Sequence, residues 1–183
     1  MIQTYSIDYR TQLCEFFSRI IESHKAYISH GELQMGIALE SNELAPNYKE
    51  MWLNYLDRQV ENPDNTLLLY LENGTIIGFV LFGITNDGAR PYGVIFDLSV
   101  DPAYRGKRIG QELLQRATES FRDKGIQDCY LESGVNNHSA HQFFEHHDFK
   151  QVSDIFRLPT EIHAEISQIF HDNHIIPGCQ FTD

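Results

Sequence analysis

Residues 97 to 114 are Asp97-Leu-Ser-Val-Asp-Pro-Ala-Tyr-Arg-Gly-Lys-Arg-Ile-Gly-Gln-Glu-Leu-Leu114. This pattern predicts a strand that ends near Val100, then a basic loop with glycines, then an amphipathic helix. At the start of a helix, unpaired backbone N–H groups and the positive end of the helix dipole face the preceding loop. Arg105, Lys107 and Arg108 add full positive charges at the same place. The stretch therefore predicts an anion site suited to phosphate, and better to pyrophosphate.

Two familiar nucleotide-binding motifs are absent from this loop. Arg108, rather than Ser or Thr, follows Gly106-Lys107, which excludes the Walker pattern. The Gly-x-Gly-x-x-Gly spacing of the dinucleotide-binding folds is also missing. For the loop alone, a solvated helix start decorated with lysine and arginine is the competing interpretation.

Hydrophobic periodicity on both sides of the loop predicts a mixed α/β sheet in one domain, residues 1–183. The predicted order is β-α-α-β-β-β-α-β-α-β-α, with a tight hairpin turn at Asn73-Gly74. The last strand is expected from Phe149 to Leu158, followed by a helix after Thr160. Helix starts are predicted at three places, by Asp8, by Asn47 with Glu50, and by Ser139 with Gln142.

Composition limits the classes of protein and partner. The chain has 183 residues, 42% of them hydrophobic, with 26 acidic and 14 basic residues and three cysteines. The acidic excess argues against nucleic acid as a partner, and it also favours attraction of a cationic substrate. No apolar run is long enough for a bilayer span, the N-terminus has no basic leader, and the cysteines are sparse. We therefore expect a cytoplasmic protein with no membrane partner.

Two segments together resemble a known family. Val100-x-Pro102-x-x-Arg-Gly-Lys-Arg-Ile-Gly110 resembles motif A of the GNAT superfamily of N-acetyltransferases, which binds acetyl-CoA through the pattern Arg/Gln-x-x-Gly-x-Gly/Ala. Asn137-x-x-Ala-x-x-Phe-Phe-x-x-x-Asp-Phe149 resembles motif B of the same family. The resemblance covers about residues 66–152, the expected CoA-binding core. It implies a single-domain GNAT-like acyl-CoA N-acyltransferase fold, here with an additional C-terminal helix and tail at about 159–183.

The resemblance also implies which residues hold acetyl-CoA. The pantetheine arm would pair with the backbone of Leu98, Ser99 and Val100 as an added strand does. Asn137 would contact the pantetheine or a water beside it. The pyrophosphate would lie on the backbone amides of Arg105, Gly106, Lys107, Arg108, Ile109 and Gly110.

Catalysis requires a group that removes a proton, because an amine that is protonated at pH 7 cannot attack a thioester. By position, Asp97 and Glu132 are the candidate catalytic carboxylates, since each lies near the end of a predicted strand. Each is equally interpretable as a strand-end carboxylate held in a hydrogen bond or salt bridge. A backbone N–H near Leu98 would stabilise the oxyanion.

The chain departs from the family pattern at three positions. Phe144 occupies the place of a tyrosine thought to protonate the leaving thiolate, and phenylalanine has no proton to give. Either another donor acts (Tyr104, Tyr130, a histidine or water), or the thiolate leaves unassisted, or the protein binds acetyl-CoA without efficient turnover. Arg108 and Asp148 each replace a glycine. We expect the first to preserve the backbone N–H and the second to alter a turn.

The sequence thus predicts an N-acetyltransferase that transfers acetyl from acetyl-CoA directly to a primary amine of a small molecule or protein. The alternative is a non-catalytic acyl-CoA-binding or regulatory module, and a different acyl group stays open. We expect the acceptor between the first two helices, residues 27–36 and residues 85–92. No metal is expected, since His138, His141 and Glu145 have no further ligand motif to support them. The partly apolar tail 174–183 is a candidate to pack on a partner subunit in a homodimer, or on the chain's own core.

Overall fold

The computed structural model describes residues 1–157. Residues 1–149 form one compact unit, and residues 150–157 belong to a second unit. The expected C-terminal helix and tail, about residues 159–183, lie outside the described residues. The single domain over residues 1–183 stays a prediction.

The strand predicted from Phe149 to Leu158 is wrong over residues 149–157, which contain no strand. A strand in this segment would need a buried face, yet Val152, Ile155 and Phe156 are all exposed. The Gln151 side chain also donates a hydrogen bond to Asp154 Oδ1 at 2.6 Å. Such a local side-chain contact is typical of turns rather than of strand pairing.

The first unit is built on one mixed sheet, as the sequence predicts, but the sheet has five strands because the strand expected from Phe149 is absent from residues 149–157. The strands lie in the order β1-β2-β3-β4-β5, and only the pair β4 and β5 is parallel. Their bounds are β1 Ile2–Thr4, β2 Asn65–Glu72, β3 Thr75–Thr85, β4 Tyr92–Val100 and β5 Cys129–Leu131. The turn between β2 and β3 has positive φ at Asn73 (50°) and Gly74 (78°), which confirms the Asn-Gly hairpin.

Helices cover both faces of the sheet. Their bounds are α1 Arg10–Ser23, α2 His30–Gln34, α3 Tyr48–Glu61, α4 Ile109–Asp123 and α5 His138–His146. The central strand β3 alternates its side chains between two hydrophobic clusters. Phe79 and Leu81 pack with α1 and α3, whereas Val80 and Phe82 pack with the apolar face of α4. The sheet therefore has two buried faces, and strand ends are the places where a cavity can form.

The helix caps differ from the predicted ones. Asp8 lies in a short 3₁₀ turn before α1, and Asn47 precedes α3 without a side-chain cap. The α5 cap is Asn137, which accepts from the Ala140 N–H at 3.3 Å, two residues earlier than predicted. The capping box of the described chain is formed by Ser29 and Glu32 at α2, a helix that the sequence does not predict. Short cap patterns recur by chance, and the path of each loop decides which is used.

A β-bulge lies in β4 directly before Asp97. Leu81 of β3 pairs with Asp97, whereas Phe82 pairs with Ile95, so Phe96 is the extra residue. Pairing of β4 with β5 ends at the Ile95–Leu131 pair. From Phe96 onward the edge of β4 that faces β5 is unpaired. The bulge and the unpaired edge thus occur at the same level of the sheet, where the site is expected.

Candidate active site

A cavity of about 780 Å³ lies where β4 and β5 stop pairing. It is lined by every predicted catalytic and cofactor-binding residue except Lys107, whose ammonium lies 4.5 Å from the centre of the Tyr104 ring. The loop of residues 27–36 contributes to the wall as expected, but residues 85–92 do not. Residues 85–92 connect the end of β3 to the start of β4, whereas the cavity lies beside the later residues of β4, up to its end at Val100.

The backbone of β4 offers one free edge to this cavity. Leu98, Ser99 and Val100 pair with Val80, Phe79 and Gly78 of β3 on one side only. All three line the cavity on the side where β5 has diverged. An extended amide chain could add to this edge as a further strand.

The basic loop joins β4 to α4 at one end of the cavity. In the described chain the backbone N–H groups of residues 106–111 make no hydrogen bond to a protein acceptor. Gly106 has φ +74°, and no atom lies within 4 Å of the position of a Cβ there. Within residues 1–157, no carboxylate forms an ion pair with Arg105, Lys107 or Arg108. The loop therefore presents unpaired donors and unneutralised positive charge.

Asp101 holds the start of this loop. The residue is 8% exposed, and its Oδ1 accepts from the Ala103 N–H at 2.9 Å while Oδ2 accepts from Arg19 at 2.5 Å. Burial acts to raise the pKa of Asp101, but the hydrogen bonds from Arg19 and Ala103, together with the positive charges of Arg19 and Arg105, outweigh it and hold that pKa below its usual value. The carboxylate stays charged and ties the loop to α1.

Arg105 extends from the loop across the cavity wall. Its guanidinium donates a hydrogen bond to the Tyr27 hydroxyl and lies over the same ring, 5.8 Å from its centre. Tyr27 belongs to the segment that precedes α2. Arg105 thus links the basic loop to the opposite side of the cavity.

Asp97 lies directly after the bulge, and its Oδ2 accepts a hydrogen bond from the Tyr55 hydroxyl of α3 at 3.1 Å. Burial by the surrounding walls raises the pKa of Asp97 to about 7, and the negative charge of Glu32 acts in the same direction. The bond from Tyr55 opposes both. A carboxyl group with this pKa can accept and release a proton near pH 7.

Glu132, the second candidate carboxylate, is placed differently. It follows β5, is exposed, and its Oε1 accepts from the Gly31 N–H at 3.3 Å. Nearby, a Cβ on Gly134 would lie 2.8 Å from the Ile28 carbonyl oxygen, so only glycine fits this approach. The segment after β5 therefore packs tightly against the segment that leads into α2.

The family model described as the acetyltransferase (GNAT) family matches residues 34–149. The chain belongs to this family. A mycothiol acetyltransferase from Propionibacterium freudenreichii subsp. shermanii is 28% identical over 142 residues, 76% of this chain and 41% of that protein. A spermidine N(1)-acetyltransferase from Thermoplasma acidophilum is 31% identical over 102 residues, 56% of this chain and 61% of that protein. The chain thus spans about half the length of these curated relatives.

Solved structures agree on the fold. The crystal structure of a predicted acetyltransferase with acetyl-CoA from Clostridium acetobutylicum has a TM-score of 0.64 to this chain at 14% identity. The match covers 96% of this chain and 99% of that one. The GNAT fold that the two sequence motifs implied is confirmed.

The two positions at which this chain replaces a GNAT glycine have the same backbone conformation. Arg108 has φ 62° and Asp148 has φ 67°, and both values are in the left-handed region that favours glycine. The expectation that Arg108 is tolerated because the position supplies a backbone N–H is therefore incomplete. The position also demands a left-handed backbone, which an arginine adopts under strain.

Phe144 has no hydroxyl to protonate the leaving thiolate, and the structure shows which of the other candidate donors lie at the cavity. Phe144 lines the cavity, but Tyr130 does not, since its ring packs edge-on against Tyr92. Tyr104 also lines the cavity, but a hydrogen bond between its hydroxyl and Glu72 raises the Tyr104 pKa. The wall contains several other side-chain donors, and His147 and Ser133 are two of them.

His147 and Ser133 each line the cavity and have a side-chain polar atom without a hydrogen-bond partner in the described chain. His147 Nδ1 lies 2.7 Å from the Phe143 carbonyl oxygen and must donate to it, so Nε2 is the ring nitrogen left for other partners. The Ser133 hydroxyl is buried and has no hydrogen-bond partner within the described chain. Sequence analysis singled out neither residue by name, because both are common surface residue types.

Residues 1–157 contain neither a cluster of metal ligands nor a helix able to span a membrane. Within residues 1–157 no three histidine, cysteine or acidic side chains are grouped so as to hold a metal ion. His138 and His141 are adjacent, with ring centres 5.9 Å apart, but lack a third ligand in that part of the chain. None of the helices in residues 1–157 combines the length and the hydropathy that a bilayer crossing needs.

Proposed function

We propose that this chain is an N-acetyltransferase that transfers acetyl from acetyl-CoA directly to a primary amine of a small molecule or protein. One observation carries the proposal. One cavity is lined by the basic loop, by the free edge of β4 and by Asp97, a carboxyl group whose pKa is about 7. Membership of the GNAT family supports it.

The residues present fit acetyl-CoA. The free edge at Leu98–Val100 matches the amide groups of a pantetheine arm, and the N–H groups of residues 106–111 match a pyrophosphate. Arg108 would add charge beside the phosphates, while Asn137 lines the wall with its Oδ1 already used to cap α5. Acetyl-CoA supplies a thioester whose carbonyl carbon accepts the amine nitrogen and whose sulfur leaves as thiolate.

Asp97 is the proposed base. It takes a proton from the acceptor ammonium, and the neutral amine then forms its bond to the carbonyl carbon as the carbon–sulfur bond breaks. A second proton, lost by the nitrogen, balances the one that the thiolate takes up. A backbone N–H near Leu98 would stabilise the oxyanion, and His147 or Ser133 is proposed to supply the thiolate proton. Glu132 remains a candidate, because it lines the same cavity.

Phe144 favours a second candidate, a non-catalytic acyl-CoA-binding or regulatory module. Thermal unfolding with CoA and acetyl-CoA, combined with a thiol-release assay over a broad panel of amines, separates the two. Stabilisation by acetyl-CoA with thiol release supports the enzyme. Stabilisation without thiol release from any amine supports the binding module, and no stabilisation contradicts both. That acetyl is the acyl group and that the protein is cytoplasmic stay predictions. A homodimer contact through residues 174–183 also stays a prediction, and those residues lie outside the described part of the chain.

A further inference from the structure

The cavity has two halves with separate linings. The half next to the anion loop, here the cofactor half, is lined by Val100, Ile109 and Phe143, which belong to the cluster around α4. The other half, here the acceptor half, belongs to the cluster around α1 and α3. Its apolar wall consists of Phe17, Ile20, Ile21, Tyr27, Met35 and Phe79. Any group bound in the acceptor half therefore contacts mostly hydrocarbon and aromatic surface.

Carboxylates supply most of the charge at this half. Asp97 is held by Tyr55 at 3.1 Å, and Glu132 is held by the Gly31 N–H at 3.3 Å. Glu32, one residue after Gly31, accepts from the Ser29 N–H through Oε2 at 2.7 Å. All three line the cavity, and its arginines are Arg105 and Arg108 of the basic loop, of which Arg105 reaches the acceptor half at Tyr27.

Glu32 is the carboxylate best placed to bind a cation. Asp97 is assigned to proton transfer, and Glu132 is exposed at the end of β5. Glu32 is half-buried, and its Oε1 makes no hydrogen bond within the described chain. A negative oxygen beside an apolar wall and near a second carboxylate is stabilised by an ammonium group and repels an anion.

Resting on the proposed acetyl transfer, we infer that the acceptor is a primary amine joined to an apolar body and free of anionic groups, and that Glu32 selects it by charge. The ammonium group lies between Glu32 and Asp97, which takes the proton. The apolar body packs against the wall that α1 and Phe79 form. Amines that also carry a carboxylate bring a second negative charge to this half and are rejected.

The test uses pairs of amines that differ by one carboxylate: phenethylamine with phenylalanine, tyramine with tyrosine, and isoamylamine with leucine. We expect kcat/KM to be at least about tenfold higher for the amine of each pair, the scale of one charge interaction near a protein surface. Ethanolamine, which has no apolar body, should be a poor acceptor. Equal or better activity on the amino acids overturns the inference while leaving the acetyl transfer itself in place.

Glu32→Gln tests the residue. The amide oxygen can keep the cap on α2 while the charge is lost. We expect KM for the amines to rise about tenfold, KM for acetyl-CoA to stay unchanged, and the amine-to-amino-acid ratio to fall towards one. Glu61→Gln, at the exposed end of α3 and outside the cavity, is the matched control and should leave the ratio unchanged.

An unchanged ratio in Glu32→Gln overturns the role of Glu32. If that variant does not fold, the amine pairs on the unaltered chain still decide the acceptor class. If acetyl-CoA binds but neither member of any pair nor any other amine is acetylated, the proposed function fails, and the inference fails with it.

Discussion

The Tyr55 hydroxyl donates a hydrogen bond to Asp97 Oδ2 at 3.1 Å and thereby joins α3 to the bulged segment of β4. Burial and the neighbouring charge of Asp97 raise the pKa of Tyr55, so the phenol stays protonated and remains a donor. The same bond lowers the pKa of Asp97, against burial and the charge of Glu32, which raise it. Tyr55 thus both orients the carboxyl group and limits its basicity.

Tyr55→Phe should move the pH profile. Loss of a hydrogen bond to the charged form raises the pKa of Asp97 above about 7. Because the ionised carboxylate is the proposed base, the rising limb of kcat/KM should shift to higher pH by ~0.5–1 unit, the size of one hydrogen bond. Tyr92→Phe, which loses a hydroxyl bonded to Asp87 outside the cavity, should leave the limb in place. An unmoved limb in Tyr55→Phe contradicts Asp97 as the base.

Asp97→Asn should lower kcat by ~10²–10⁴-fold, the range for a lost general base. It should also change how stability depends on pH. A carboxyl group whose pKa is raised on folding stabilises the fold at low pH, and this stabilisation is lost as the pH rises through about 7. The decrease in melting temperature from pH 5.5 to pH 8.5 should therefore be larger for the unaltered chain than for the asparagine variant. Equal falls would argue against a raised pKa of Asp97 in the folded chain.

Arg108→Glu should weaken binding of acetyl-CoA. The side chain lines the cavity beside unpaired N–H groups, and no carboxylate of the described residues forms an ion pair with it. A lost charge-assisted phosphate contact corresponds to a Kd increase of about 10–100-fold, measured by calorimetry. Arg116→Glu reverses an exposed charge on α4, outside the cavity, and should have little effect on the Kd. An unchanged Kd in Arg108→Glu would contradict the proposal that this loop binds the phosphates of acetyl-CoA.

Arg108→Gly should stabilise the fold. A non-glycine residue in the left-handed region is strained by ~1–2 kcal/mol, which exceeds the ~0.5–1 kcal/mol that glycine loses in backbone entropy. A melting temperature higher by ~2–4 °C is expected from calorimetry. Arg108→Ala keeps the Cβ and should give no gain. Asp148→Gly should gain less, because aspartate tolerates this conformation better than arginine.

Local signals explain what could be predicted from the sequence. The Asn73-Gly74 turn and the apolar face of α4 each depend on neighbouring residues, and the structure contains both. The anion loop is predicted for the same reason, since strand, loop and helix follow one another in the chain. The strand expected from Phe149 fails because a suitable pattern does not supply a pairing partner.

The partners of Asp97 could not be predicted in this way. Tyr55 lies 42 residues before Asp97 and shares the apolar pattern of α3 with core residues such as Trp52 and Leu56. Glu32 lies on a helix too short to leave a periodic signal. Which residues of α2 and α3 face β4 is decided by packing across the sheet, and spacing along the chain carries no information about it.

The most direct test of the account follows the acetyl group itself. The chain is incubated with isotope-labelled acetyl-CoA and phenethylamine, and mass spectrometry measures both the free CoA thiol and the labelled amide. The account predicts labelled N-acetyl product in equal amount to the thiol, and loss of both in Asp97→Asn. Binding of acetyl-CoA with no labelled amide from this or any other primary amine would contradict it.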